Sequence, residues 1–310
     1  MKKVFIDGAA GTTGLRIYDR LREREDLELI LLSEEDRKDP AARKEALNAA
    51  DVAFLCLPDD AAREAVSLTE NPGTVLIDTS TAHRTASGWV YGFPEIGGRR
   101  DAIRGAKRIA NPGCHASGFI ALVAPLVEKG ILSPDARLSV FSLTGYSGGG
   151  KKMIASYEAE GRDPLYDAPR LYGLGQAHKH LPEMAAVAGL NVSPVFSPIV
   201  APYYAGMEVV VSLFREDVAC GAESLAGLYR EYYRPGTGLV SFRENADEAG
   251  FLSAGAYTGR DDMEITVCGN GERILLVSRF DNLGKGASGA AIQNMNLVLG
   301  IEETRGLVLS

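Results

Sequence analysis

Cysteine, histidine and tryptophan are scarce in this chain: four, four and one among 310 residues. Cys56, Cys114, Cys220 and Cys268 stand far apart and match neither a CxxC pair nor a dense disulfide framework, which excludes a stapled mini-scaffold and a cysteine zinc cluster. A signal-length apolar core is lacking behind MKKVFIDGAAG, where Asp7 and Gly8 end the first hydrophobic stretch, and nothing approaches the length of a membrane span; the expected location is the cytoplasm. Positive charge is in deficit. Lys+Arg 33 against Asp+Glu 41 leaves a net charge of -8, a mean field that repels phosphate backbones and anionic lipid surfaces. Nucleic acid and membrane are therefore not expected as partners, whereas a small anionic substrate held by a few local basic groups is compatible with that field. Hydrophobic residues at 45% and charged residues at 24% exclude wholesale disorder, collagen and a coiled coil. At roughly 150 residues per domain, the length allows about two domains, each with a core of its own.

What is present begins with alternation. Val4-Phe5-Ile6, Leu29–Leu32, Val52–Leu57 and Val75-Leu76-Ile77 are short apolar runs; Leu15, Tyr18 and Leu21 recur between the first two at helical spacing, and Ala41–Ala50 and Ala61–Leu68 are helix formers. The pattern predicts β-α-β-α-β-α-β over residues 3–80, an α/β fold with a Rossmann-like parallel sheet. Thr81–Arg108, rich in glycine and charge, reads as a long functional loop with one short helix. After Asn111-Pro112-Gly113-Cys114, the residues Phe119, Leu122-Val123 and Leu126-Val127 predict an amphipathic helix kinked at Pro125. Leu138–Leu143, Met207–Phe214, Met263–Val267 and Ile274–Phe280 are separated by long excursions, which suits a second, α+β domain with a mixed or antiparallel sheet. Lys285–Leu299 reads as a closing helix with Ala291, Ile292, Met295 and Val298 on one face.

The segment Gly8-Ala9-Ala10-Gly11-Thr12-Thr13-Gly14 joins the first strand to the first helix. Its GxxGxxG spacing is a variant of the dinucleotide fingerprint: small residues let the backbone approach a pyrophosphate, and the helix N-terminus offers unpaired N–H groups and a favourable dipole. Gly8, Gly11, Thr12, Thr13 and Gly14 are cofactor candidates on this ground, and a turn that merely packs closely is the alternative. The choice of dinucleotide stays open at Ser33-Glu34-Glu35-Asp36-Arg37-Lys38. A carboxylate there suits the ribose 2′-OH of NAD, while Ser33 with Arg37 or Lys38 suits the 2′-phosphate of NADP.

Cys114 begins a helix, where the dipole stabilises a thiolate, and this makes it a candidate nucleophile; by context alone a structural thiol fits equally. Cys56 in an apolar run, Cys268 at a strand end and Cys220 in an Ala-Cys-Gly turn read as filler or spare thiols. The four histidines are His83, His115, His178 and His180. Gly175-Gln-Ala-His-Lys-His-Leu-Pro-Glu183 puts His178 and His180 on one side of an extended segment, roughly 7 Å apart. No third ligand stands at metal-like spacing, so no metal site is expected. His115 should point away from Cys114 and serve in packing or a polar contact. In Asp78-Thr-Ser-Thr-Ala-His-Arg84, His83 and Arg84 fall at the carboxyl end of a parallel strand, where ligands bind in this fold; Arg84 reads as an anion clamp or as a surface ion-pair partner.

Taken together, GAAGTTG, DTSTAHR, NPGCHASG, TGYSGGGKK, HKHLPEM and DNLGKGASGA, in that order along nearly the whole chain, resemble the N-acetyl-γ-glutamyl-phosphate reductases of the semialdehyde dehydrogenase superfamily, in particular their shorter bacterial type. His115, where many longer-type members carry an aromatic residue, fits the shorter type. The resemblance implies NADPH-dependent reductive dephosphorylation of N-acetyl-L-glutamyl 5-phosphate, a step of arginine biosynthesis, through a thioester on Cys114 with His180 as the base. It implies Arg84, His178 and Glu183 at the substrate, and Ser80, Ser147, Gly148, Asn282 and Gly284 beside the glycine loop, Ser33 and Arg37 at NADP. It further implies that the last helix returns to the first domain, giving residues 1–114 with 284–310 to the dinucleotide and residues 115–283 to catalysis and oligomerisation in a homo-oligomer, dimer or tetramer. An aspartate-semialdehyde dehydrogenase or another acyl-phosphate reductase would share this mechanism with a different pocket. A dinucleotide-sensing binding protein would keep the fold without the chemistry, and Cys114 together with a histidine pair speaks against it.

Overall fold

The structure, a computed structural model, describes residues 1–236 and 238–309. The chain divides into two compact units, the first made of Met1–Pro94, Gly98–Pro112 and Ala287–Leu307, the second of Glu95–Gly97, Gly113–Gly286 and the residues from Val308 on. Ser310, the last residue of the expected dinucleotide domain, lies outside the described residues.

The first unit runs β1 (Lys2–Asp7), α1 (Thr12–Leu21), β2 (Leu27–Ile30), α2 (Pro40–Ala49), β3 (Val52–Leu55), α3 (Asp59–Leu68), β4 (Val75–Asp78), β5 (Val90–Tyr91), α4 (Arg99–Gly105) and β6 (Arg108–Ala110). Its strands form one sheet in the order β2-β1-β3-β4-β6-β5, with every neighbouring pair parallel. Every residue of β3 and β4 is buried, which is why both read as unbroken apolar runs: the sheet is covered on its two faces. Successive side chains of β1 divide between those faces. Val4 and Ile6 join Ile17, Leu21, Ile292 and Met295 in one core cluster, while Phe5 joins Leu47, Leu55, Ala65 and Leu76 in the other. The segment Thr81–Arg108 is more structured than the expected loop. Besides one short helix it carries β5, whose two residues pair with Ile109 and Ala110 and are too few to register as a period-2 pattern.

The second unit runs α5 (Cys114–Glu128), β7 (Ser139–Gly145), α6 (Gly150–Glu158), β8 (Arg170–Leu171), α7 (Leu181–Ala188), β9 (Val195–Ala201), β10 (Met207–Phe214), α8 (Ala222–Tyr232), β11 (Val240–Phe242), β12 (Met263–Gly269) and β13 (Arg273–Phe280). The sheet order is β11-β12-β13-β10-β7-β9-β8. It is mixed: β7 and β9 are parallel, as are β11 and β12, and the remaining neighbours are antiparallel. Strand β9, absent from the sequence reading, carries Pro198 in its middle, which weakens a strand pattern. The chain closes with a turn of π-helix, Gly284–Ser288, and α9 (Gly289–Leu299), so the expected closing helix tightens to α-helix only at Gly289.

The expectation of an amphipathic α5 is corrected. Every residue from His115 to Leu126 is buried, the pattern of a helix enclosed on all sides. Pro125 lacks the N–H that would reach the Ala121 carbonyl four residues back, and the Tyr233 hydroxyl donates to that carbonyl at 2.8 Å instead. Tyr229 donates to the neighbouring carbonyl of Leu122. On the opposite side the helix lies directly against β10 and β13. A Cβ at Gly118 would come within 2.5 Å of Val209 Cγ2, 2.7 Å of Ser278 Oγ and 2.9 Å of Phe280 Cε1. Gly118→Ala should accordingly cost about 1–3 kcal/mol of stability through overpacking, read as a lower denaturant midpoint at unchanged m-value; an unchanged midpoint would show that the contact has slack.

Candidate functional site

In the first unit the strand order reverses between β1 and β3, and a cleft of about 650 Å³ opens there beyond the carboxyl ends of β1, β2 and β3. It is lined by Gly8–Gly11, Leu31, Leu32, Glu34, Arg37, Lys38 and Cys56–Pro58, so both segments singled out for a dinucleotide meet on it. Gly8 has φ +86°, a left-handed conformation that side-chain-bearing residues rarely adopt, and a Cβ on it would collide with the Cys56 carbonyl. A Cβ on Gly14 would collide with the Gly8 carbonyl. The Gly11 N–H donates to that same carbonyl at 2.9 Å, closing the turn, and Thr12 and Thr13 begin α1. Among the described residues Thr12 Oγ1 is buried without a hydrogen-bond partner. A cradle that rejects Cβ atoms, a helix N-terminus and an unsatisfied hydroxyl fit a bound pyrophosphate. Behind the loop, Asp7 is buried against Arg43 at 3.0 Å, and Arg43 also reaches Glu64 at 2.7 Å.

The remaining candidates of this unit are tied into local networks. Ser33 Oγ donates to Asp36 Oδ2 at 2.7 Å, and Arg37, exposed, lies 3.5 Å from Glu34. Asp78, fully buried, accepts from the Ser80 N–H and hydroxyl at 2.9 and 2.8 Å and lies 2.6 Å from His83 Nδ1. His83 stacks on Trp89 with ring centroids 4.1 Å apart. Arg84 donates from Nε to the Asn111 carbonyl at 3.1 Å and from Nη2 to the Thr79 carbonyl at 3.2 Å, which binds the loop after β4 to the segment after β6.

The second unit gathers the thiol and three histidines. Cys114, half-buried, is the first residue of α5, with Gly113 as its N-cap. Glu183 Oε2 accepts from the Gly113 N–H at 3.2 Å, so a buried carboxylate on α7 meets the positive end of α5. Its other oxygen lies 3.9 Å from His180 Nε2. The expectation of an extended His178–His180 segment is corrected: His180 has helical φ and ψ as the N-cap of α7, and the two rings approach to 4.8 Å rather than the spacing of an extended chain. The His180 N–H donates to His178 Nδ1 at 3.2 Å, which leaves the hydrogen of neutral His178 on Nε2.

His115 turns inward, with Nδ1 2.6 Å from Ser142 Oγ and Nε2 2.7 Å from the Tyr172 hydroxyl, and its ring lies 5.7 and 5.6 Å from those of His178 and His180. Burial, reinforced by His178, pushes its imidazole down to about 3. Sequence reading missed Ser142 and Tyr172. Ser142 carried a signal, since it is the polar residue at an inward position between Val140 and Thr144 of β7; Tyr172 carried none. Close by, a Cβ on Gly286 would come within 3.0 Å of the Cys114 Cβ. The other thiols are poor nucleophiles: burial lifts Cys56 to about 12 and raises Cys220 and Cys268. Asn282 bridges the Gly206 N–H and the Ser147 hydroxyl at 3.0 Å each, Gly148 packs against the Asn282 amide, and Gly284 lies so close to Arg260 that a Cβ would strike its carbonyl. Among the described residues no group of three or more His, Cys, Asp or Glu is arranged to hold a metal ion, and no helix is long and apolar enough to cross a membrane.

Two family models match this chain: the semialdehyde dehydrogenase NAD binding domain over residues 3–106 and the semialdehyde dehydrogenase dimerisation domain over residues 114–282. They define its class as a semialdehyde dehydrogenase with a dinucleotide-binding and a dimerisation domain. Curated relatives include N-acetyl-gamma-glutamyl-phosphate reductase 2 of a Nostoc species, 44% identical over 98% of this chain and 99% of the relative, and N-acetyl-gamma-glutamyl-phosphate reductase of Mesorhizobium japonicum, 47% identical over 96% and 99%. The chain belongs to the N-acetyl-gamma-glutamyl-phosphate reductase family. Among solved structures, aspartate semialdehyde dehydrogenase II of Vibrio cholerae, complexed with ASA, shares its fold with a TM-score of 0.71 at 18% identity, covering 97% of this chain and 98% of that one. Aspartate semialdehyde dehydrogenase with NADP from Candida albicans does so with a TM-score of 0.66 at 16% identity, covering 96% and 98%.

The neutral His115 has a consequence for stability. In the unfolded chain an imidazole binds a proton below about 6.5, whereas in the folded chain it does not do so until about 3. Acidification through that window therefore favours the unfolded state, by up to about 1.4 kcal/mol per pH unit from this group. Urea midpoints measured from pH 7 to pH 4 should fall less steeply for His115→Gln than for the wild type; parallel curves would contradict a neutral buried His115.

Proposed function

We propose that this protein reduces N-acetyl-L-glutamyl 5-phosphate to N-acetyl-L-glutamate 5-semialdehyde with NADPH, releasing phosphate, as a cytoplasmic enzyme of arginine biosynthesis that works as a homo-oligomer, dimer or tetramer. The observation that carries this reading is the assembly around Cys114: a thiol at a helix N-terminus in one unit with His178, His180 and Glu183, in a chain whose relatives are named for this reaction. An acyl phosphate is reduced readily once its acyl group is held as a thioester. The Cys114 thiolate attacks the γ-carbonyl, the C–O bond to phosphate breaks, and inorganic phosphate leaves. NADPH, when bound, supplies the hydride that converts the thioester carbon to a thiohemiacetal. His180 takes the thiol proton in the first stage and gives a proton in the last, so that the carbonyl re-forms as the sulfur departs. Glu183, beside His180 and bonded to the N-cap of α5, holds the imidazole toward the thiol's end of the helix.

His178, whose Nδ1 is engaged by the backbone, presents its Nε2 hydrogen to the substrate, and Arg84 is assigned to the substrate phosphate. Gly8, Gly11, Thr12, Thr13 and Gly14 hold the pyrophosphate, with Ser80 on the same unit; Ser33 and Arg37, with Lys38, hold the 2′-phosphate. Ser147, Gly148, Asn282 and Gly284 of the second unit are assigned to the nicotinamide end. Residues 1–114 with 284–310 serve the dinucleotide in this reading, and residues 115–283 serve catalysis and oligomerisation.

Cys114→Ser should abolish reduction of NADP by N-acetylglutamate 5-semialdehyde and phosphate, while dinucleotide binding stays nearly intact and Cys56→Ser retains turnover. Wild-type turnover in Cys114→Ser would sink the thioester mechanism. In a fluorescence titration NADPH should bind about tenfold or more tightly than NADH, because a charged hydrogen bond to phosphate contributes about 1.5–3 kcal/mol. Replacing Ser33 and Arg37 together by Ala should remove that preference; equal affinities in the wild type would return the ribose to Glu34 or Glu35.

A further inference from the structure

We infer that Gln176 is the positioning residue for the histidine pair: its side-chain carboxamide completes the edge of β9 where β8 stops, and so fixes where His178 and His180 stand. The inference rests on the reading of His178 as a substrate contact and of His180 as the base.

Strand β9 runs parallel to β7 on one side, and there the Val195 N–H donates to the Leu138 carbonyl at 2.8 Å. Backbone groups alternate in direction along a strand, so those of Phe196, Pro198 and Val200 face the opposite side, toward β8, and need partners there. Val200 pairs with Arg170 of β8. The Pro198 carbonyl accepts from the Tyr172 N–H at 3.0 Å, and a proline has no N–H to satisfy. At Phe196 the antiparallel chain is gone, because it turns off the ladder at Gly173, φ +65°. The Gln176 side chain takes that rung. Its Nε2 donates to the Phe196 carbonyl at 2.8 Å, and its Oε1 accepts from the Phe196 N–H at 2.9 Å. At neutral pH a carboxamide is the one side-chain group that carries donor and acceptor in the arrangement of a peptide bond.

The backbone at Gln176 points the same way. Its φ is +50°, a left-handed conformation costly for a residue with a Cβ, which only Asn245 and Ala249 share with it among the described non-glycine residues. The Gln176 N–H closes the turn on the Gly173 carbonyl at 3.0 Å. A glycine would take this angle freely, so what the glutamine adds is its carboxamide.

The path from that carboxamide to the histidines is short. The ring of Phe196, whose backbone Gln176 holds, meets the His178 ring edge-on with centroids 5.1 Å apart. A Cβ on Gly173 would come within 3.8 Å of His178 Cδ2, so the turn lies against the same ring. His178 in turn carries the start of α7. Its Nδ1 accepts from the His180 N–H at 3.2 Å and its carbonyl from the Leu181 N–H at 3.0 Å. Releasing Gln176 therefore loosens both imidazoles through one contact.

Gln176→Met keeps the length of the side chain and removes both hydrogen bonds; Gln176→Gly also relieves the left-handed angle, which separates the carboxamide from the backbone. With N-acetylglutamate 5-semialdehyde, phosphate and NADP, both variants should lose about ten- to a hundredfold in kcat/KM for the semialdehyde, the scale of a displaced reacting group, while the KM for NADP stays unchanged. Placed on His178→Asn, neither substitution should raise the semialdehyde KM further, because the two residues act through one contact; a general loss of stability would add its own effect. Without substrate, the imidazole resonances of His178 and His180 should move in both variants and those of His83 should not. Unmoved His178 and His180 resonances, or wild-type kcat/KM in Gln176→Gly, overturn the proposal. Failure of the functional reading has a different signature: the resonances move as stated, and yet the wild type gives no turnover with semialdehyde, phosphate and NADP.

Discussion

Helix α5 can rest on β10 and β13 only because Gly118 carries no side chain, and that contact sets where the helix N-terminus stands, with Cys114 on it. The far side of the helix is settled by tyrosines. Tyr233 supplies the donor that Pro125 withholds from the Ala121 carbonyl, so the proline costs no buried hydrogen bond. At the N-terminal end of the helix the Glu183 carboxylate accepts from the Gly113 N–H. The thiol, its neighbouring histidines and the carboxylate are thus located by packing before any chemistry is asked of them.

Two buried cations of the second unit, Lys285 and Arg279, are each enclosed together with a carboxylate. Lys285 is fully buried on Glu95 at 2.9 Å, and Glu95 also accepts from the Leu239 N–H. Arg279 of β13 meets its register partner Glu264 of β12 at 2.7 Å and the more exposed Glu248 at 2.8 Å. Removing one member of such a pair would strand the other, which is far more costly than never having buried either. The Lys285 pair fixes the residue next to Gly286, the glycine that lies against Cys114.

Much of this was legible in the sequence where one period or one motif dominated. The three β-α repeats and fourth strand that open the first unit appear because fully buried parallel strands are continuous apolar runs, and the glycine loop appears because Gly8 and Gly14 tolerate no side chain. β5 and β9 were not legible: the first has two residues, the second a proline at its centre. Helix α5 was misjudged for a physical reason, since a helix enclosed on every side has no polar face to give it a period. The His178–His180 turn was misjudged because Pro182 marks a helix start without saying that His180 has already adopted helical angles. The Ser142–His115–Tyr172 contacts join residues far apart in the chain, and pairing across three strands is a tertiary fact that local pattern does not carry.

The divided composition of the first unit bears on how the chain is made. Its core cluster mixes Val4, Ile17, Phe54 and Ile77 with Ala291, Ile292, Met295 and Leu297 from α9. All six parallel strands are made by Ala110, yet α9, which packs together with α1 on one side of their sheet, follows only after the whole of Gly113–Gly286. The second unit, nearly continuous from Gly113 to Gly286, has its core residues complete before then. The core of the first unit is therefore completed by residues made after those of the second, and until α9 emerges the apolar surface it covers depends on whatever shields it in the cell.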